Sequence, residues 1–264
     1  MLKERMSYLI YSCDAYSDLW QHNHHFLVKS WKGRDVDSFL VTDKETDKTL
    51  ETVKILCAGE GTEMSERTAY ALPYINTEYV LVTLDDYFPV HPIHNERLER
   101  LLDIMDREKI DYLRLFPDPN SHKKWKGYDG LYHIPLDKNY DVNLYQGIWR
   151  RSFLEKTVGQ PLNAWQYEVT LTRIAKKEGA VCALSKGGEY EILDVIRKGK
   201  LLHRAKRYLA KEGITIPTRE TIAYKEEMRI YIYNHGKKIL PKPLAKLVKN
   251  FLRKRGKTFF SESI

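Results

Sequence analysis

The sequence predicts an α/β protein, a sheet flanked by helices and followed by a helical C-terminal extension. Three observations carry this. Short apolar runs alternate with segments of helical periodicity through the first two hundred residues. One of those runs, Tyr79-Val-Leu-Val-Thr-Leu84, is apolar without interruption, as a central strand covered on both faces requires. Beyond Gly199 the pattern is helical, punctuated by Pro217, Pro241 and Pro243. The expected division is a catalytic-type domain over 1–205 and a helical extension over 206–264.

In order along the chain, residues 8–11 read as a buried strand and 18–29 as a helix. A second strand spans 38–42. A third, 53–56, leads into the Gly59-Glu-Gly61 loop, and 64–75 is a helix carrying Glu66 and Arg67 in its first turn. After the strand 79–84 come a charged amphipathic helix at 95–108 and a strand at 112–116. Residues 118–147 are irregular and rich in Gly, Tyr and Trp, which in a compact domain marks a binding region more often than a connection. Residues 149–155 form a strand or turn entering a short helix, 167–177 a helix, and 180–184 the last strand.

Composition narrows the function. With 264 residues, 42% hydrophobic, the chain buries a full-size core. Its eighteen tyrosines and five tryptophans suit a groove that stacks on flat or ring-shaped ligands. Cys13, Cys57 and Cys182 are far apart, which argues against a disulfide framework or a cysteine zinc site and for a reducing compartment. The N-terminus lacks the long apolar core of a signal peptide and no stretch is apolar enough to span a bilayer, so a cytoplasmic location is expected.

The net charge of +8 is local: 237–257 holds nine basic residues and no acid, and without 237–264 the other 236 residues are formally neutral. A neutral body argues against nucleic acid as partner. In the tail, Leu244, Leu247, Val248, Phe251 and Leu252 fall at helical spacing among the basic residues. Such a helix suits the anionic inner leaflet of a membrane, at about 1 kcal/mol per basic residue. The alternatives are an apolar stripe docked on the domain, or RNA.

Asp85-Asp86-Tyr87 follows directly on the strand 79–84, where open α/β sheets place their ligands. Adjacent carboxylates repel unless a positive group joins them, and a divalent cation carrying phosphate oxygens is one solution; capping by one Asp and solvation of the other is the alternative. If the strands are parallel, Ser12, Asp14, Thr42 and Asp43 gather on the same edge, a crevice of nucleotide size. Asp35-Val-Asp37 precedes its strand and belongs to the opposite edge. Glu168, beside Trp165 and Tyr167 at a helix start, is a candidate general base or an ordinary first-turn Glu. Arg197-Lys198-Gly199-Lys200 is a cluster able to hold a diphosphate, or a solvated helix start. The histidines at 22, 24 and 25 read as surface residues.

The run from Glu66-Arg67 through Tyr74-Ile-Asn-Thr-Glu-Tyr79 to Asp85-Asp86-Tyr-Phe, then Gln146-Gly-Ile-Trp149-Arg-Arg and Ala164-Trp-Gln-Tyr-Glu168, resembles the GT-A-type glycosyltransferases of bacterial surface-polysaccharide (capsule or O-antigen) assembly. The resemblance covers 7–205 and implies a Rossmann-like mixed sheet binding a nucleoside-diphosphate sugar. It implies the base near Ser12, Cys13, Asp14 and Asp43, and Mg²⁺ or Mn²⁺ at Asp86 and Asp85. Arg67 would contact the diphosphate or sugar, Gln146 and Trp149 would line the sugar and acceptor side, and Glu168 would be the base of an inverting transfer to a lipid-linked glycan. The family pattern is D-x-D, whereas here the acids are adjacent, so Arg197, Lys198 and Lys200 could instead carry the leaving group without a metal. A nucleotidyltransferase and a non-catalytic basic adaptor are the competing functions.

Overall fold

The computed structural model describes residues 1–116 and 123–239; the amphipathic helix expected at 244–252 and most of the basic run lie outside the described residues. The chain divides into two compact units, Met1–Asp194 and Val195–Ile264, ahead of the boundary expected at 205. No helix among the described residues is long and apolar enough to cross a membrane.

The first unit is built on an eight-stranded sheet. Its strands are β1 (Met6–Tyr11), β2 (Ser38–Thr42), β3 (Lys54–Cys57), β4 (Tyr79–Leu84), β6 (Tyr112–Arg114), β7 (Leu131–His133), β8 (Gly147–Arg150) and β9 (Cys182–Ser185), in the order β3-β2-β1-β4-β8-β6-β9-β7. β3, β2, β1 and β4 run parallel; β8 is antiparallel to β4 and to β6, β9 is parallel to β6, and β7 is antiparallel to β9. A two-stranded sheet pairs β5 (Tyr87–Pro89) with β10 (Ile192–Asp194). Neither this small sheet nor β7 was expected; β7 lies inside the stretch expected to be irregular.

Side chains alternate strictly across the sheet. Tyr8, Ile10, Tyr79, Leu81, Leu113 and Ile148 enter one core with Trp20 and Leu27 of α2 (Trp20–Ser30) and with α4 (Asn95–Arg107). Leu9, Tyr11, Val80, Val82, Tyr112 and Trp149 enter the other, with α3 (Met64–Ala71), α5 (Arg151–Thr157) and α6 (Ala164–Glu178). Sheet strands covered on both faces explain why 79–84 is apolar throughout. Leu98, Leu101, Leu102 and Met105 form the buried stripe of α4, about 1.5–3 kcal/mol each. Gly147 is required where it stands: a Cβ there would lie 3.0 Å from the Tyr112 ring and 3.1 Å from the Leu113 carbonyl.

At the amino ends of the strands, charges close on one another. Arg150 pairs with Glu78, Asp106 (3.7 Å) and Asp111 (3.9 Å) and lies over the Tyr79 ring, whose hydroxyl donates to Asp106. Arg5, at the end of the short helix α1 (Leu2–Arg5), pairs with Asp103 at 2.7 Å and with Asp106 at 2.8 Å.

The second unit holds a hairpin of β11 (Ile196–Arg197) and β12 (Lys200–Leu201), then α7 (His203–Lys211) and α8 (Tyr224–Ile239). The hairpin replaces the helix expected from 199 onward. Lys198 takes a left-handed conformation at its turn (φ 51°), beside Gly199 at φ 75°.

Candidate functional site

The parallel strands β1 and β4 are neighbours, while β2 and β3 extend the sheet away from β1 on the far side. The sheet's order therefore reverses between β1 and β4, the switch point at which open α/β sheets form their ligand crevice. Backbone bonds carry the pairing into the loops: Ser12 N–H donates to Val41 O (3.0 Å), Asp85 N–H to Tyr11 O (3.1 Å) and Ala58 N–H to Thr42 O (2.9 Å).

Side chains then tie the three loop starts together. The buried Ser12 hydroxyl donates to the Asp85 carboxylate and accepts from the Trp20 indole at 2.6 Å. Asp43 accepts from the Asp14 N–H at 2.7 Å and the Thr42 hydroxyl at 3.3 Å. Asn23 of α2, buried among histidines read as surface residues, donates to the carbonyls of Asp85 (3.0 Å) and Tyr87 (3.1 Å) and fixes the double-aspartate turn. Burial, with Asp85 and Asp43 nearby, pushes the Cys13 thiol up to about 11, while Arg67 acts in the opposite direction. Cys13 thus lies within electrostatic reach of all three.

Arg67, on α3, is buried and donates to the Thr62 carbonyl; its buried Nε has no hydrogen-bond partner among the described residues. Such a group is costly to leave unmet and is ready for an anion. Asp35 and Asp37 precede β2 and sit at the opposite end of the sheet, where the Asp37 carbonyl accepts from Tyr8 N–H.

Glu168 is placed by α6. Asn163 caps that helix through a reciprocal pair, Gln166 N–H to Asn163 Oδ1 at 3.0 Å and Asn163 N–H to Gln166 Oε1 at 3.2 Å. Glu168 Oε1 accepts from the Leu144 N–H at 3.1 Å. The Tyr87 hydroxyl is held well above its ordinary range by burial, then by Tyr145, Asp86, Asp194 and Glu168. Asp86 and Glu168 thus both act electrostatically on the Tyr87 hydroxyl. Asp194, opposite Tyr87 in the small sheet, joins them, and sequence reasoning missed it because only the β5–β10 pairing brings it there. Phe116, Tyr145 and Tyr87 stack in a column, at 4.5 Å and 5.8 Å between centroids.

Four expected residues are placed differently. Trp149, expected to line the sugar side, is fully buried between Tyr112 and Phe153, because β8 is interior and its outward face is covered by helices. Arg197, Lys198 and Lys200 belong to the second unit, where Lys198 pairs with Glu226 (3.4 Å) and Lys200 with Glu220 (3.1 Å). Gln146 is buried, donates to the Tyr190 carbonyl at 3.1 Å and keeps a buried Oε1 without a hydrogen-bond partner among the described residues.

Among the described residues no three His, Cys, Asp or Glu side chains converge as a protein cage for a metal. With Asp85 engaged by Ser12, a hard cation at Asp86 and Asp85 would have to bring diphosphate oxygens and water as its other ligands.

No family model and no curated protein matches this chain. Solved structures do. S. aureus TarS superposes with a TM-score of 0.51 at 14% identity, covering 70% of this chain and 36% of that one. Residues 1–349 of TarS in complex with UDP-GlcNAc give 0.50 at 15% identity over 75% of this chain and 60% of that one. The mannosyltransferase PcManGT from Pyrobaculum calidifontis, in complex with GDP-Man and Mn²⁺, gives 0.51 at 13% identity over 74% of this chain and 58% of that one. The chain thus spans between 36% and 60% of the length of these structures. At such identities the likeness speaks for the fold alone: the eight-stranded mixed sheet and its flanking helices form a GT-A-type α/β fold.

Proposed function

We propose that this chain is a glycosyltransferase that moves a sugar from a nucleoside-diphosphate donor to a hydroxyl of a lipid-linked glycan, with inversion. The observation that carries the proposal is the side-chain cluster at the switch point. Ser12, Cys13, Asp14, Asp43, Asp85 and Asp86 stand at the carboxyl ends of β1, β2 and β4, with Arg67 buried beside them.

In this reading the base and ribose lie against Ser12–Asp14 and Asp43, and the diphosphate at Asp86, Asp85 and Arg67. A divalent cation bound with the diphosphate supplies charge neutralisation of the leaving group. Glu168, oriented by the Leu144 N–H, takes the proton of the acceptor hydroxyl. The acceptor oxygen bonds to the anomeric carbon as the bond from that carbon to the phosphate oxygen breaks, and the nucleoside diphosphate leaves toward Arg67. Gln146 turns its amide oxygen to the sugar. The basic run 237–257 holds the enzyme at an anionic inner leaflet, where a lipid-linked acceptor of surface-polysaccharide assembly would be found. The loop after β1, Ser12–Asp18, is acidic and glycine-free, which disfavours a nucleotidyltransferase.

Calorimetric titration with UDP, GDP, CDP and dTDP, each with Mn²⁺ and with EDTA, tests this. One nucleotide should bind, and Asp86→Ala should weaken it at least about tenfold, the loss of a charge-assisted contact. Binding indifferent to EDTA and to Asp86→Ala removes the cation and Asp86 from the diphosphate site. Failure of every nucleotide to bind overturns the proposal.

A further inference from the structure

The two units carry charge of opposite sign. Met1–Asp194 holds 25 basic residues against 31 acidic ones, whereas 195–236 holds ten against four, ahead of the nine further bases of 237–257. Three of those four acids are met within the second unit: Glu220 by Lys200 at 3.1 Å, Glu226 by Lys198 at 3.4 Å, and Glu227 by the His203 N–H at 3.2 Å. The second unit is left strongly positive.

Helix α8 sorts its residues in the same sense. Tyr224, Met228, Tyr231 and Ile232 fall at i, i+4, i+7 and i+8, on one face, and are 65%, 39%, 57% and 62% exposed. Lys225 and Arg229, also exposed, border that face. Glu226 and Glu227 project from the opposite side, toward Lys198 of the hairpin turn and His203 at the start of α7. Acids therefore turn inward, and apolar groups and bases outward. In α4 the apolar stripe is the buried face, as in most helices of a folded domain. In α8 it faces out.

This combination selects what covers the face. A nucleic acid answers the charge of Lys225 and Arg229 but leaves Met228 and Ile232 in water, and an uncharged apolar groove answers the stripe but not the bases. The boundary between headgroups and acyl chains of an anionic bilayer answers both, and tyrosine rings, apolar with one polar tip, suit that depth. The chain then runs from this helix directly into the basic residues of 237–257, which add attraction to the same surface.

We infer that the exposed face of α8 lies on an anionic phospholipid bilayer, with Tyr224, Met228, Tyr231 and Ile232 at the base of the headgroups and Lys225 and Arg229 against lipid phosphates. The inference rests on the proposed attachment to an inner leaflet and adds to it an apolar anchor; it is independent of the transfer reaction. Flotation of the full chain tests it, with vesicles of phosphatidylcholine alone and of phosphatidylcholine and phosphatidylglycerol in equal parts, at low and at high salt. The wild type should float with the mixed vesicles, keep part of that binding at high salt, and ignore phosphatidylcholine alone. Met228→Ser with Ile232→Ser should weaken binding about tenfold or more and abolish what survives high salt, because only apolar burial is unscreened. Lys225→Glu with Arg229→Glu should weaken it about tenfold or more at low salt. All four positions are exposed, so the melting temperature should stay near that of the wild type. Reversal of Lys242, Lys246 and Lys249 to Glu separates the two readings. Binding that is lost on that reversal but indifferent to both α8 pairs overturns the inference and leaves the tail attachment standing, whereas a wild type that floats with neither vesicle overturns both.

Discussion

The two ends of the central sheet are made from similar residue types and do opposite things with them. At the amino ends, Arg5 and Arg150 close on Glu78, Asp103, Asp106 and Asp111, and Tyr79 completes the network. At the carboxyl ends, Asp43 is met by a backbone N–H and a hydroxyl, and Asp85 by the Ser12 hydroxyl. Arg67, a buried cation of this end, donates to the Thr62 carbonyl. One end spends its charges on the fold. The other ties Asp43 and Asp85 to hydroxyl and backbone donors at the mouth of the strand-end crevice, where a ligand can meet them. Mutation should therefore separate the two, with stability answering at one end and binding and rate at the other.

The largest separation is expected at Glu168. In Glu168→Gln the amide oxygen still accepts from the Leu144 N–H, so the melting temperature and nucleotide affinity should stay near wild type. Transfer should fall by about 10²–10⁴-fold, the usual worth of a general base, as read in a turnover assay with the nucleotide sugar identified by calorimetry. Loss of affinity together with rate would make Glu168 a binding residue.

Arg150→Ala should do the reverse. It removes contacts to three carboxylates and the Tyr79 ring, most of them part-exposed, so the expected cost is about 2 kcal/mol, or about 4–8 °C in melting temperature. Nucleotide affinity should not change. A variant that melts normally would show that this network adds nothing to the fold.

The smallest effect is expected at Tyr79→Phe, about 1 kcal/mol at neutral pH. Burial, and then the hydrogen bond to Asp106, raise the Tyr79 hydroxyl above its ordinary range. A folded-state value above the unfolded one, about 10, contributes stability that is complete below about pH 10 and is lost as pH rises further. Chemical denaturation across alkaline pH should therefore show the Phe variant losing less stability than the wild type over that range.

What was legible in the sequence follows from locality. β1, β2 and β4 announce themselves because each is buried along all or nearly all of its length and nearly continuous in apolar residues, and Asp85-Asp86 stands where the longest of these runs stops. Glu168 could be placed near a helix start, read at 167, although the helix begins earlier, at Ala164, where Asn163 and Gln166 cap it. β7 could not be read: its three residues become a strand only by pairing with Cys182–Ser185, about fifty residues later. The same holds for Asp194, which reaches Tyr87 through the β5–β10 pair, and for Asn23, whose bonds to Asp85 and Tyr87 cross from α2. Trp149 misled because an aromatic residue in a site-like motif looks the same whether its strand is exposed or interior. The charge of 197–200 suggested a helix start, but Lys198 and Gly199, both at positive φ, make a hairpin turn.

The position of β8 also sets an order of events during synthesis. β4 ends at Leu84 and its neighbour begins at Gly147, so the ribosome must add 63 residues before that side of β4 can be covered. At 5–20 residues per second this takes roughly 3–13 s. The N-terminal parallel half, β3-β2-β1-β4, can be assembled by then, while β6 waits with nothing to join it to β4. The nascent chain therefore carries an unpaired apolar strand edge for seconds, and a chaperone acting on this protein would find its work in that interval.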